Sequence, residues 1–229
     1  MKYSIIVTGY NCEKYADECL ESVLNQSYAN WECLVWNDAS TDDTTNVLRK
    51  YEGTKIKIFN QTKNEGALKG RYELIREATG DVVCFLGLDD KLTPNALEIL
   101  NGYYTDEVKL TWGNWMNTRG YRFPVRNYDS DVWENKSFRR AAWRATALNT
   151  FRRDLILQVP KEFLLMDGKW IDNCTDLAYS FPCLEMVERN EVRVVLEPIY
   201  IYRDNHGNTT RNRLGKAHKA KIREYLKRL

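Results

Sequence analysis

KYSIIVTGYNCEKYADECLESVLNQSYANWECLVWNDASTDD, residues 2–43, changes its hydrophobic period twice. Lys2 to Thr8 is a short β-branched run that reads as a strand, and Gly9-Tyr10-Asn11 ends it. Apolar Tyr15, Cys19, Val23 and Leu24 then recur at helical spacing, and Glu32 to Trp36 returns to a strand pattern. In Asn37-Asp38-Ala39-Ser40-Thr41-Asp42-Asp43, Ser40 or Thr41 is a candidate N-cap, with acids in the first turn of a helix that continues through Val47 and Leu48. The alternation goes on: a strand over Lys55 to Phe59, a helix over Gly66 to Ala78, and a fourth strand over Asp81 to Leu86. Successive βα units predict an α/β fold, a Rossmann-like mostly parallel sheet flanked by helices and wound right-handedly.

Ligands of such sheets bind beyond the carboxyl ends of the strands. Thr8-Gly9-Tyr10-Asn11 follows the first strand, Asn37-Asp38 the second and Asp89-Asp90 the fourth, so three polar clusters fall on one edge. The last cluster ends FLGLDDK, residues 85–91, and has two readings. Adjacent aspartates before Leu92-Thr93-Pro94 suit a turn leading into a helix, and they also suit a metal or phosphate site. A turn explains each cluster separately but does not predict their convergence, which favours a site.

The whole chain narrows the chemistry. Its 229 residues suit one domain, and 34 basic against 32 acidic residues leave no global field to recruit nucleic acid. Cys12, Cys19, Cys33, Cys84, Cys174 and Cys183 form no C-x-x-C pair, and several sit in apolar patterns as small hydrophobes. Without a signal peptide or a spanning apolar run, the expected compartment is the cytosol. His206 and His218 are the only histidines, too few for a multi-histidine zinc site. From Arg211 onward, basic residues interleave with Ala217, Ala220, Ile222, Tyr225 and Leu226. This is read as a solvated terminal helix, with a weak peripheral membrane-surface contact as its alternative.

The second half is less regular. Trp112, Trp115, Trp133, Trp143 and Trp170 gather there with Tyr103, Tyr104, Tyr121 and Tyr128, mostly as core and in part as a floor for an acceptor. Asp172 to Val187 recovers a helical period, and Glu191 to Arg203 alternates like a strand pair broken at Pro198. The expected division is 1–105 for the nucleotide-binding half, 106–210 for the acceptor-side half and 211–229 for the basic tail, in a single domain.

The opening stretch resembles the family 2 glycosyltransferases, in which a strand ends in Thr-x-Tyr-Asn and a second ends in Asp-Asp-Gly-Ser-x-Asp. The likeness continues through Asn64-x-Gly66-x-x-x-Gly70-Arg71 and Gly80-Asp81-x-x-x-Phe85-Leu86 into Leu88-Asp89-Asp90, and covers about the first hundred residues. It implies a GT-A fold and transfer of a sugar from a nucleoside diphosphate, UDP above all, to a glycan, lipid-linked or other hydroxyl acceptor, with inversion at the anomeric carbon. Carried over by position, Thr8, Tyr10, Asn11, Asp38, Arg71 and Leu88 hold the nucleotide. Asp89 holds Mn²⁺ or Mg²⁺, with Asp90 and His206 as further candidate ligands, and Asp176 is the base, with Asp172 as runner-up.

The chemistry agrees with those residue types. A divalent cation neutralises a departing diphosphate and takes only one or two protein carboxylates. A guanidinium fork suits a phosphate or a base edge, although before the family likeness Arg71 reads as a surface helix residue. Glu185, nine residues beyond Asp176, is read as structural or acceptor-orienting. One position departs from the family pattern: Gly87 stands where the first aspartate of Asp-x-Asp-Asp belongs. That keeps a noncatalytic sugar- or nucleotide-binding domain as the alternative. A nucleotidyltransferase is disfavoured, since no glycine-rich basic loop follows the first strand.

Overall fold

The computed structural model describes residues 1–204 and 213–229. Its first half is the expected repeat: β1 (Tyr3–Gly9), α1 (Ala16–Leu24), β2 (Trp31–Asn37), α2 (Thr44–Arg49), β3 (Ile56–Asn60), α3 (Ala67–Glu77) and β4 (Val82–Gly87). Then come β5 (Lys91–Leu92), α4 (Ala96–Tyr103), β6 (Leu110–Asn117), β7 (Arg122–Phe123), α5 (Ser130–Glu134), β8 (Thr150–Arg152) and α6 (Arg153–Ile156). The chain continues through β9 (Leu165–Met166), β10 (Lys169–Trp170), α7 (Thr175–Met186) and β11 (Val192–Tyr202) to α8 (Arg213–Leu226).

The main sheet runs β3-β2-β1-β4-β8-β6-β11-β5, with β7 paired to β6. β1 to β4 are parallel, because each is followed by a helix that returns the chain to the starting edge. β8 is antiparallel to both β4 and β6, so it restores the parallel direction on its far side, where β11 pairs with β6. The strands buried on both faces are near-continuous apolar runs, as VVCF in β4 and ECLVW in β2 show. Two apolar layers result. Ile5, Val7, Cys33 and Leu86 pack under α1 and α4, while Ile6, Leu34, Phe85 and Trp112 pack under α3 and α7.

Several local expectations are corrected. Ser40 and Thr41 do not cap α2; Ser40 donates to Asn37 Oδ1 at 2.5 Å, and Thr41 pairs with Asn11. The cap-like contact comes from Asp42, whose Oδ1 accepts from Thr44 N at 3.0 Å. Glu191 to Arg203 is not a strand pair. A three-residue 3₁₀ turn at Arg189–Glu191 leads into one strand, β11, whose register shifts between Val195 and Tyr200. The bulge accommodates Pro198, which has no N–H for the ladder.

The basic tail is a docked helix. Ile222 and Leu226 of α8 are buried in the core, Tyr225 OH donates to Leu165 O at 2.9 Å, and Lys216, Lys221 and Lys227 face outward. All six cysteines are free and buried. Among the described residues, no helix is long and apolar enough to cross a membrane.

Candidate functional site

Strand register builds the site. Thr8 lies opposite Trp36 on one side and Gly87 on the other, and Gly9 lies opposite Asn37, which lies opposite Asn60. The carboxyl ends of β1, β2, β3 and β4 are therefore level, and the three polar clusters emerge along one edge. Asn37 Nδ2 donates to Asn60 Oδ1 at 2.8 Å and Asn37 Oδ1 accepts from Ser40, so this asparagine fastens the edge.

Asp38 is almost fully buried and heavily engaged. Its Oδ1 accepts from Trp36 Nε1 at 3.2 Å and Glu65 N at 2.9 Å, and its Oδ2 accepts from Gly66 N at 2.8 Å. The carboxylate thus positions the start of α3, a role in addition to any contact with a base edge. Asn11 adopts φ 54°, a left-handed conformation asparagine tolerates, and its Oδ1 accepts from Thr41 N at 2.8 Å. That bond joins the loops after β1 and β2. Tyr10 is exposed beside them, and Thr8 is buried with its carbonyl accepting from Leu88 N at 3.0 Å. Leu88 itself is core: its side chain fills the space above Gly9, where a Cβ would lie 2.4 Å from Leu88 Cβ.

Arg71 is not the surface residue that its helix position suggested. Burial lowers its pKa, and the Asp176 carboxylate opposes that effect. Its guanidinium lies 4.5 Å over the Phe85 ring, Nη1 donates to Thr175 Oγ1 at 2.8 Å, and its buried Nε has no hydrogen-bond partner among the described residues. A buried guanidinium N–H without a partner is costly in a finished fold and fits a ligand oxygen. Asp176 lies in the first turn of α7, half-buried, within electrostatic reach of Arg71. Asp172 is exposed and pairs at 2.7 Å with His218 of α8. The two candidate bases are thus separated by environment, with Asp176 beside Arg71.

The two adjacent aspartates also separate. Asp90 is buried; its Oδ2 accepts from Tyr200 OH and its Oδ1 accepts from Arg203 N at 2.7 Å. It fastens the end of β11 to the loop after β4. Arg203 continues this tie, donating from Nε to Asp89 O at 2.9 Å and from Nη2 to Glu18 at 2.9 Å. Asp89 is half-exposed, and a Cβ on Gly87 would lie 2.6 Å from its Oδ1. The missing side chain at Gly87 is therefore the space that the Asp89 carboxylate uses.

Among the described residues no group of three or more His, Cys, Asp or Glu could hold a metal ion, and His206 lies outside them. The donor set still fits Mn²⁺ or Mg²⁺, which accept one carboxylate when phosphate and water oxygens complete the shell. Sequence reasoning missed Tyr200, while Cys12 lies buried as a small hydrophobe near Asp89. Burial, then the nearby Asp89 charge, pushes the Cys12 thiol up to about 12, which leaves it neutral beside the site. Glu185 makes a bidentate pair with Arg139 at 2.5 and 2.8 Å, a structural tie between α7 and the segment after α5.

Residues 4–155 match the profile of Glycosyl transferase family 2. The chain is 33% identical over 113 residues to the UDP-Glc:alpha-D-GlcNAc-diphosphoundecaprenol beta-1,3-glucosyltransferase WfgD of Escherichia coli, covering 49% of this chain and 45% of that protein. It is 32% identical over 134 residues to a chondroitin synthase of Escherichia coli, covering 53% of this chain and 19% of that protein. The matched stretch spans less than half the length of either relative. Among solved structures, Staphylococcus aureus TarS in complex with UDP-GlcNAc superposes with a TM-score of 0.65 at 19% identity, over 91% of this chain and 60% of that one. That likeness shows the fold, the expected GT-A arrangement.

Proposed function

The chain belongs to Glycosyl transferase family 2, and on that premise we propose that it transfers a sugar from a nucleoside-diphosphate donor, a UDP-sugar, to an acceptor hydroxyl. The observation that carries this reading is the buried Arg71 Nε, without a hydrogen-bond partner among the described residues, on the side chain that the α7 carboxylate Asp176 acts on. Thr8, Tyr10 and Asp38 receive the nucleoside at the ends of β1 and β2, with Asn11 holding their loops together. Residues 1–105 then serve the donor and 106–210 the acceptor, within one domain.

Asp89 would hold Mn²⁺ or Mg²⁺, which supplies charge neutralisation for the departing diphosphate. Arg71 adds a fixed positive charge that needs no reorganisation, because Thr175 and Phe85 already orient it. Asp176 accepts the proton of the acceptor hydroxyl as that oxygen attacks the anomeric carbon, and a single displacement inverts that centre. The acceptor class, glycan or lipid-linked, follows the kind of substrate named for the WfgD relative.

Thermal denaturation with UDP, GDP and dTDP, each with and without Mn²⁺, tests the reading. A Mn²⁺-dependent rise in Tm with UDP, lost in Asp89→Ala, is the expected result. No change with any of the three nucleotides in the presence of metal would overturn it.

A further inference from the structure

An open pocket of about 370 Å³ is lined by Pro124, Val125, Arg126, Trp143, Arg144 and Thr146, none of them among the site residues named above. Its place follows from register. Thr150 of β8 lies opposite Cys84 of β4, and Asn149 O accepts from Phe85 N at 3.2 Å. Residues 146–148 therefore continue toward the carboxyl end of β4, the edge that carries Asp89. On the other side, Trp143 packs edge-on against Phe181 of α7 at 5.2 Å, and α7 begins with the turn that contains Asp176. The pocket thus borders the acceptor side of the proposed site.

Its chemistry is one-sided. Trp143 Nε1 and Thr146 Oγ1 are buried and have no hydrogen-bond partner among the described residues, an uncommon state in a finished interior. Trp143 and the two arginines are donors only, and a threonine hydroxyl can donate. Arg144 is committed to Asp129, at 2.7 Å from Nη2 to Oδ2, whereas Arg126 is exposed at the rim and lies close enough to Asp129 to help keep that carboxyl ionised. Arg126, Arg144 and Arg189 all act on the one carboxylate of Asp129, which leaves a local excess of positive charge around it. Pro124, Val125 and the indole supply an apolar wall of the kind against which a sugar ring packs.

We infer that this pocket is a subsite for an anionic acceptor unit, a saccharide or polyol bearing a carboxylate or a phosphate. The inference rests on the transferase reading for its biological sense, but the pocket can be tested without turnover. A hydroxyl-rich body lies on the apolar wall, while the anionic oxygens take the Arg126 guanidinium and the unpaired N–H and O–H groups.

Ligand-observed NMR titrations with D-glucuronate, sn-glycerol 3-phosphate and methyl β-D-glucoside test it in the full chain at low salt. At least one anionic probe should bind roughly tenfold more tightly than the neutral glucoside. Preference for glucuronate would assign a uronic-acid unit, and preference for the phosphate a phosphorylated polyol. Arg126→Gln should abolish the preference, whereas Arg49→Gln, at an exposed position of α2, should leave it intact. Trp143→Phe, which preserves an aromatic ring against Phe181, should weaken whichever anion the parent prefers. Equal binding of the neutral probe, an unchanged preference in Arg126→Gln, or an equal loss in Arg49→Gln would overturn the inference. The Mn²⁺-dependent UDP shift, measured on the same samples, separates the two readings. Its presence with no anion preference removes only this pocket, and its absence with the preference intact removes only the transferase assignment.

Discussion

Arg71 Nη1 donates to Thr175 Oγ1 at 2.8 Å, joining α3 to the first turn of α7 across 104 positions of sequence. The bond couples the half assigned to the donor to the half assigned to the acceptor, and it fixes a guanidinium whose Nε has no partner among the described residues. Lysine keeps the charge but loses the planar fork. Arg71→Lys is expected to lower kcat/KM by about 10- to 100-fold, the equivalent of one charge-assisted hydrogen bond. Thr175→Val, which removes only the orienting hydroxyl, should cost less. Steady-state kinetics on both variants check the order; a larger loss in Thr175→Val would contradict it.

Gly87 and Asp89 form a steric pair, since a Cβ at 87 would meet Asp89 Oδ1 at 2.6 Å. Gly87→Ala should turn the Asp89 carboxylate away and also press on the buried Asp90 Oδ2, which would lie 3.1 Å from the new Cβ, so a modest loss of stability is expected. The expected outcome is a free energy of urea unfolding lower than the parent's by about 1–2 kcal/mol, together with a reduced Mn²⁺-dependent UDP shift. Gly87→Asp, which restores the family's first aspartate, should not strengthen the shift, since Asp89 already occupies that space. A stronger shift in Gly87→Asp would show that the backbone yields.

Asp90 acts as a fastener. Tyr200→Phe removes the hydroxyl that donates to its Oδ2 and leaves a buried carboxylate oxygen less satisfied, so a loss of about 1–3 kcal/mol is expected. The m-value should not change if the native fold is retained. Nucleotide-dependent stabilisation should survive in Tyr200→Phe, unlike in Asp89→Ala, and that contrast distinguishes the adjacent carboxylates.

The first half was legible because each of its strands carries its own signal. In β1, β2 and β4, β-branched and apolar residues run to a polar terminus, and parallel pairing through intervening helices is almost the only way to assemble such units. The clusters at Thr8, Asp38 and Asp89 follow from that assembly alone. The second half resisted because β5, β7, β9 and β10 have two residues each and β8 has three. Strands that short carry no period, and β8 takes its place from pairing with β4 and β6, far away in sequence. The burial of Arg71 was hidden for the same reason: α7, which covers it, lies about a hundred residues away. Asp90 and Tyr200 meet only after β11 has joined the sheet beyond β6, which no local pattern announces.

Asp176 and Asp172 differ in environment as well as position, and the difference predicts which one matters. Asp176→Asn should leave the UDP shift intact and lower turnover by about 100- to 10,000-fold, the usual range for a lost general base. Asp172→Asn removes an exposed pair with His218 and should change turnover less than twofold, since exposed ion pairs contribute little. Normal turnover in Asp176→Asn would transfer the role elsewhere.

Glu32 predicts a pH dependence of stability that has nothing to do with catalysis. Burial disfavours its carboxylate, but hydrogen bonds from Thr79 N at 2.6 Å, Ser4 Oγ at 2.7 Å and Thr79 Oγ1 at 2.8 Å, with Lys2 3.5 Å away, outweigh it. The folded-state pKa therefore lies below the ordinary 4.5. A group whose pKa is depressed by folding stabilises the native state fully above its unfolded value, and that contribution is lost as pH falls through the folded one. The parent should thus lose stability between the ordinary glutamate range and lower pH. Glu32→Gln should be less stable than the parent at neutral pH, because a neutral amide accepts those three hydrogen bonds less well. The gap should narrow on acidification. Urea unfolding of both proteins at pH 7 and at successively lower pH measures it, and a gap that widens toward acid would show that Glu32 is not held as the anion.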